Sequence, residues 1–259
     1  LAFELSYNPF DDAIVAFQKY LDQYPTSVRR DEAYRFLLDV YLTSRDYERG
    51  LNALDQIQDK DLTVRESYQL LAYNRGVELY QGGKYKQALV YFNKVRTYPI
   101  DAQLAAESHY WEGECHFSLR DYVNATGSYS KFSRAPGGYL SSYYPAADYA
   151  RGYALFKRKK YSDALSAFRS YLEAHPEDAP KRIHDAELRT ADCFYSKKEF
   201  DRAVTYYDRC LNRTTENKGN VDYILYQRAM SMSLTEAEES LREQIEGLDK
   251  LLQEFPKSR

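Results

Sequence analysis

Cysteine, methionine and tryptophan are scarce in this 259-residue chain, at three, two and one residues. The thiols of Cys115, Cys193 and Cys210 are odd in number and lack a CxxC spacing, which argues against redox chemistry built on them. They read instead as small packing residues, and so they do not report the compartment. An excess of charge is also missing. With Lys+Arg 36 against Asp+Glu 39 the net charge is -3, and no electrostatic footprint for nucleic acid exists. No apolar run is long enough to cross a bilayer. The chain opens at Leu1 with neither a signal peptide nor a lipidation cysteine, so targeting information is expected to be absent or removed. Nucleophile elbows, phosphate-binding glycine loops and paired carboxylates are lacking too, which leaves no signature for an enzyme or a cofactor.

Tyrosine, by contrast, is abundant at 27 residues. Its ring fills an interhelical gap while its hydroxyl still reaches water or a carbonyl, which suits thin, half-exposed packing units. The aromatics are periodic. Around Ala164, an aromatic lies three before (Tyr161), another four after (Phe168), a bulky residue seven after (Tyr171) and proline twelve after (Pro176). The same frame fits Phe10/Ala13/Phe17/Tyr20/Pro25, Tyr47/Gly50/Leu54/Ile57, Tyr85/Ala88/Phe92/Val95, Tyr122/Ala125/Tyr129/Phe132 and Phe200/Ala203/Tyr207/Cys210. A looser copy runs through Gln244/Leu248/Leu251/Pro256. The small anchors at 13, 50, 88, 125, 164, 203 and about 244 give a period of 37 to 41 residues, the mark of a repeat architecture.

Each period holds two helical patterns. The expected pairs are Arg30 to Thr43 with Tyr47 to Ile57, Ser67 to Gln81 with Tyr85 to Val95, and Ala102 to Leu119 with Tyr122 to Phe132. Then come Ala146 to Lys157 with Tyr161 to His175, His184 to Ser196 with Phe200 to Leu211, and Asp222 to Ser233 with Ser240 to Phe255. The repeats thus occupy about 29–57, 67–96, 102–133, 146–176, 184–211 and 222–256 of one solenoid domain, 1–259, after a half repeat over 1–25 that Asn8 and Pro9 help to start. Both ends read as cuts through a longer array. The long Gly/Pro/Ser-rich connector Ser133 to Pro145 reads as an exposed loop rather than a domain boundary. Gly76, Gly113 and Gly152 each lie twelve before an anchor, where a missing side chain lets the two helices of a pair approach closely.

This combination of Gly152, Tyr161, Ala164, Phe168 and Pro176, with its copies, resembles the tetratricopeptide repeat family. The resemblance implies an all-α fold, a right-handed superhelical α-solenoid of stacked antiparallel hairpins. The phrases YWEGE, YLDQYP and LLQEFP are similar to members from the Gram-negative cell envelope, which favours the periplasm or envelope while leaving the cytoplasm open. The period exceeds the family's usual 34 residues through longer connectors. Family ligands bind along the concave face lined by the first helix of each pair. Carried over, that rule selects Tyr73, Tyr80, Tyr110, Phe117, Tyr149, Tyr153, Phe156 and Tyr195 as an aromatic lining, with Glu114 and Asp192 as acidic points. The alternative for any one ring is that it fills space between helices. Only Asn74 and Lys157 resemble the family's carboxylate-clamp residues, so neutral or basic ligand segments are favoured.

Two clusters invite other chemistry. His109, Glu112 and His116 share a helix face, but lack a fourth ligand and an HExxH order, so polar packing is preferred to a metal. Arg75, Glu112 and Arg151 occupy equivalent positions with alternating sign and suggest a charge ladder between repeats. The expected function is therefore a non-catalytic scaffold for a protein or peptide partner. The alternatives are a structural module that self-associates through its end repeats, or an enzyme module.

Overall fold

The small anchor of each repeat and the aromatic four residues later decide how its helices meet. The computed structural model describes residues 11–58, 60–175, 177–212, 220–234 and 238–256. Among these lie α1 (Asp11–Gln23), α2 (Arg30–Ser44), α3 (Tyr47–Gln56), α4 (Leu62–Gln81), α5 (Tyr85–Val95), α6 (Ala102–Ser118) and α7 (Tyr122–Arg134). They continue as α8 (Tyr144–Lys157), α9 (Tyr161–Ala174), α10 (Pro180–Ser196), α11 (Phe200–Asn212), α12 (Val221–Met232) and α13 (Glu238–Glu254). No strand occurs among the described residues. The fold is the all-α solenoid class expected from the period. The expected capping start at Asn8 and Pro9 of the first helix, and Pro176, lie outside the described residues.

The chain packs as two compact units, one of residues 1–120 and 134–141, the other of 121–133 and 142–259. In the first, α2 packs on α3, α4 on α5, and α3 and α5 in turn meet α4 and α6. In the second, α8 packs on α9, α9 on α10, α10 on α11, α11 on α12 and α12 on α13. These hairpins thus bury apolar surface both in the seam between their own two helices and against the next hairpin of the same unit. The residues four after the anchors, Leu54, Phe92, Tyr129, Phe168 and Tyr207, are all 0% exposed. Burying one such ring is worth about 1.5–3 kcal/mol.

The glycines twelve before the anchors make that burial possible. A Cβ on Gly76 would sit 2.6 Å from Cε1 of Phe92, and one on Gly152 would sit 2.7 Å from Cε1 of Phe168. Both rings are enclosed and cannot swing away, so the helix backbone itself forms the wall against which the ring lies. In α7, Gly127 has nothing near its missing Cβ and pays the helix cost of glycine without a packing return.

One turn recurs between the helices of five pairs. Arg45, Gly83, Arg120, Lys159 and Lys198, each five before an anchor, adopt φ of 59°, 71°, 62°, 59° and 64°. The next amide then closes back on the first helix, as Lys84 N–H does on Leu79 O at 2.8 Å and Lys160 N–H on Leu155 O at 3.0 Å. This left-handed closure satisfies the last carbonyls and reverses the chain in three residues. Four of its five occupants are non-glycine cations, at a steric cost softened by the negative end of the helix dipole.

The boundaries shift where the caps are stronger than the pattern. α4 begins at Leu62 rather than Ser67 because the Asp61 side chain accepts from Val64 N–H at 3.0 Å. α10 begins at Pro180 rather than His184, with proline in its first turn. In the Ser133–Pro145 connector, Gly137 (φ 82°) lies so close to the start of α6 that a Cβ would stand 2.8 Å from Gln103 N. The following 3-10 turn, Gly138–Leu140, leaves Tyr139 and Leu140 exposed. All three cysteines are free and buried, and burial pushes the Cys115 and Cys193 thiols up to about 12.

Two substitutions of the same chemistry should have opposite signs. Gly76→Ala drives a methyl into Phe92 and should lower stability by about 1–2 kcal/mol after the helix-propensity gain, whereas Gly127→Ala should raise it by about 1 kcal/mol. Urea unfolding followed by circular dichroism reads both. In the same assay Lys198→Gly, which removes a Cβ from a left-handed residue, should raise stability by about 0.5–1 kcal/mol; an unchanged midpoint would show that the lysine side chain contributes as much as its conformation costs.

Candidate functional site

The first helices of successive pairs lie side by side within each unit, and polar side chains stitch them together. In the first unit, Tyr73 of α4 donates its hydroxyl to Glu107 of α6 at 2.6 Å and accepts from Trp111 Nε1 at 3.0 Å. Tyr80 donates to Glu114 at 3.4 Å, and burial, then the Glu114 charge, pushes its phenol up to about 12. Its ring lies 5.0 Å from Trp111 and 5.4 Å from Tyr85. Tyr110 is 9% exposed and meets Trp111 edge-on at 5.5 Å. Asn74 and Phe117 are half-buried on the same helices.

The second unit repeats the scheme in register. Tyr149 of α8 donates to Asp185 of α10 at 2.7 Å, and Tyr153 donates to the same carboxylate. Tyr73 and Tyr149 both lie fifteen before their anchors, and Glu107 and Asp185 both lie eighteen before theirs. Arg189 Nε donates to Tyr153 at 3.0 Å and its Nη1 to Asp192 at 2.6 Å. Asp192, 5% exposed, also accepts from Tyr207 at 2.8 Å and Tyr223 at 3.0 Å. Burial outweighs these donors and holds its carboxyl above the ordinary range. Burial and the Asp185 charge push the Tyr153 phenol up to about 12. Phe156 and Tyr195, half-buried, pack edge-on against Tyr161 at 5.6 Å and Phe200 at 5.7 Å.

The expected lining residues therefore sit on the first helices as two aromatic patches, one in each unit. Their hydroxyls mostly serve the neighbouring helix, and the open parts of the rings face outward. Asp192 is sealed beneath Tyr207 and Tyr223 rather than lining a surface. Trp111, Glu107, Asp185 and Arg189 complete these patches. A search for acids eighteen residues before each anchor would have found Glu107 and Asp185.

The two clusters weighed for other chemistry are internally satisfied. His109 Nδ1 lies 2.9 Å from Glu112, which accepts from Arg96 at 2.6 Å. Burial would raise the Glu112 carboxyl, but the His109 hydrogen bond and the Arg96 charge outweigh it and hold it below the usual value. No group of His, Cys, Asp and Glu that could hold a metal is found among the described residues. The charge ladder fails in its first rung. Arg75 pairs with Glu48 of α3 at 2.5 Å and with Glu78 one turn along its own helix at 2.7 Å, while Glu112 turns to Arg96 at the end of α5, so each charge is met by a partner other than the equivalent residue of the next repeat. No described helix is long and apolar enough to cross a membrane.

Comparison with known proteins agrees with this geometry. Residues 73–139 match a tetratricopeptide repeat family, and residues 141–259 match the YfiO family, described as an outer membrane lipoprotein. Among solved structures, YrrB, described as a TPR protein with an unusual peptide-binding site, is 18% identical with a TM-score of 0.58, over 73% of this chain and 87% of that one. MamA from Desulfovibrio magneticus RS-1 is 16% identical with a TM-score of 0.57, over 74% and 98%. PilF of Pseudomonas aeruginosa is 18% identical with a TM-score of 0.54, over 89% and 94%. Curated protein sequences give no match. The repeated anchors, the stacked hairpins and these matches converge on one conclusion: the chain has the tetratricopeptide-repeat fold, an architecture of the protein-interaction scaffold type.

Proposed function

We propose that the first-helix faces grip an extended or helical segment of a protein partner, without catalysis, and that the protein does so in the bacterial cell envelope. One observation carries this reading. The half-buried rings Tyr80, Phe156 and Tyr195 are held by ring contacts to Trp111, Tyr161 and Phe200 in turn, and Tyr80 also by its hydroxyl bond to Glu114, so they need no ordering when a ligand arrives. Preorganisation of this kind turns contact area into affinity, since immobilising free side chains costs about 0.5–1.5 kcal/mol each. The peptide-binding description of YrrB and the outer-membrane description of the YfiO family support the partner class and the compartment. With Asp192 sealed and Glu114 partnered by Tyr80, the faces offer aromatic contact more than charge.

Peptides selected on the purified chain from a random library provide the test. Phe117→Ala, Phe156→Ala and Tyr195→Ala, chosen because these rings are only half-buried, should each weaken a peptide seated on their own unit about tenfold or more, as aromatic hot spots do. Calorimetry reads the loss and circular dichroism checks the fold. Selected peptides whose affinity survives the triple variant unchanged would remove these faces as the binding surface.

A further inference from the structure

The left-handed turns of the second unit gather cations in excess of the carboxylates around them. Between α8 and α9 runs Lys157-Arg158-Lys159-Lys160, and between α10 and α11 run Lys197 and Lys198. Lys157, Lys159, Lys160 and Lys198 are exposed. None of these four, nor Arg158, has an ion pair within 4 Å among the described residues, whereas Lys197 pairs with Glu199 at 2.8 Å. The bonds of Tyr149 to Asp185 and of Arg189 to Tyr153 set α8 and α10 side by side in the same direction, so their C-terminal turns open on one edge. Segments 157–163 and 197–202 hold seven cations against three carboxylates, in a chain of net charge -3.

We infer that this edge docks on an anionic phospholipid surface. Four features select lipid over an acidic protein segment. The free cations are four lysines to one arginine, and an ammonium is a point charge that suits mobile phosphates, where a fixed carboxylate partner would favour the arginine fork. The cations ride on exposed turns, where a broad surface can reach several of them at once. Next to them in the chain stand Tyr161 and Tyr195, paired edge-on with Phe156 and Phe200, and tyrosine is a residue that settles at headgroup level. The same unit carries the match to outer membrane lipoproteins, whose description places those relatives on a membrane.

Vesicle co-sedimentation of the full chain, with phosphatidylcholine alone or mixed with phosphatidylglycerol, tests the inference. Binding should require phosphatidylglycerol and weaken with salt. Each neutralised charge should cost about fivefold, so Lys157→Gln, Lys159→Gln, Lys160→Gln and Lys198→Gln together should weaken binding at least about a hundredfold. A control with Lys19→Gln, Lys86→Gln, Lys131→Gln and Lys181→Gln, equally exposed but elsewhere, should bind nearly as wild type. Absence of wild-type binding to phosphatidylglycerol vesicles overturns the inference. So does equal weakening in both variants, or capture of soluble poly-glutamate with no binding to vesicles. All proteins must show the same helical circular dichroism for the comparison to count.

Discussion

The contact between a backbone without a side chain and a fully enclosed ring sets the geometry on which the rest of the structure depends. Where Gly76 meets Phe92 and Gly152 meets Phe168, the two helices of a hairpin approach closely enough for the ring to fill the seam. That seam fixes the spacing of the pair. The spacing in turn fixes where the next hairpin of a unit can land, because the second helix of one pair packs on the first helix of the next, as α5 does on α6 and α9 on α10. A chain of thin units then acquires buried hydrophobic clusters, each built from residues of consecutive helices, without any single large core.

Tyrosine is suited to what remains exposed. A phenylalanine row would leave apolar edges facing water, while a phenol fills the same interhelical gap and carries a donor to the next helix. The pairs Tyr73–Glu107 and Tyr149–Asp185 show the arrangement twice at the same register. Charge is used locally in the same spirit. Arg96 alone ties the carbonyl of Phe92, Ser108 and Glu112 together across two helices, so the second helix of one repeat is stitched to the first of the next. Cations elsewhere close the turns.

Much of the fold was legible in the sequence, because small anchors and large aromatics recur at fixed offsets and a helix has one period. Residues at those offsets were enclosed as expected, down to Ile57, Val95, Phe132, Tyr171 and Cys210 seven after the anchors. Helix starts were less legible, since a single Asp61 cap or a Pro180 extends a helix beyond its apolar pattern. The ladder of Arg75 and Glu112 looked sound by register alone, yet charge selects the nearest partner, and Glu48 and Arg96 were nearer. The candidate faces were half legible. Their rings could be named from the offsets, but the hydroxyl partners sit 34 to 36 residues away on the first helix of the next pair, a separation that no local pattern displays.

The register of those hydroxyl partners gives the array a direction. Of the three hairpins bearing tyrosine fifteen before the anchor, those of Tyr73 and Tyr149 are followed by one bearing an acid eighteen before its own, which takes the hydroxyl, whereas that of Tyr110 is followed by Ala146. Leu70 and Ala146 hold that acidic place in other hairpins, so a reshuffled order that set either opposite Tyr73 or Tyr149 would strand a phenol against a hydrocarbon. The hairpins are therefore not interchangeable beads. Their sequence along the chain carries a syntax, and duplication or excision of one unit has to respect both of its neighbours.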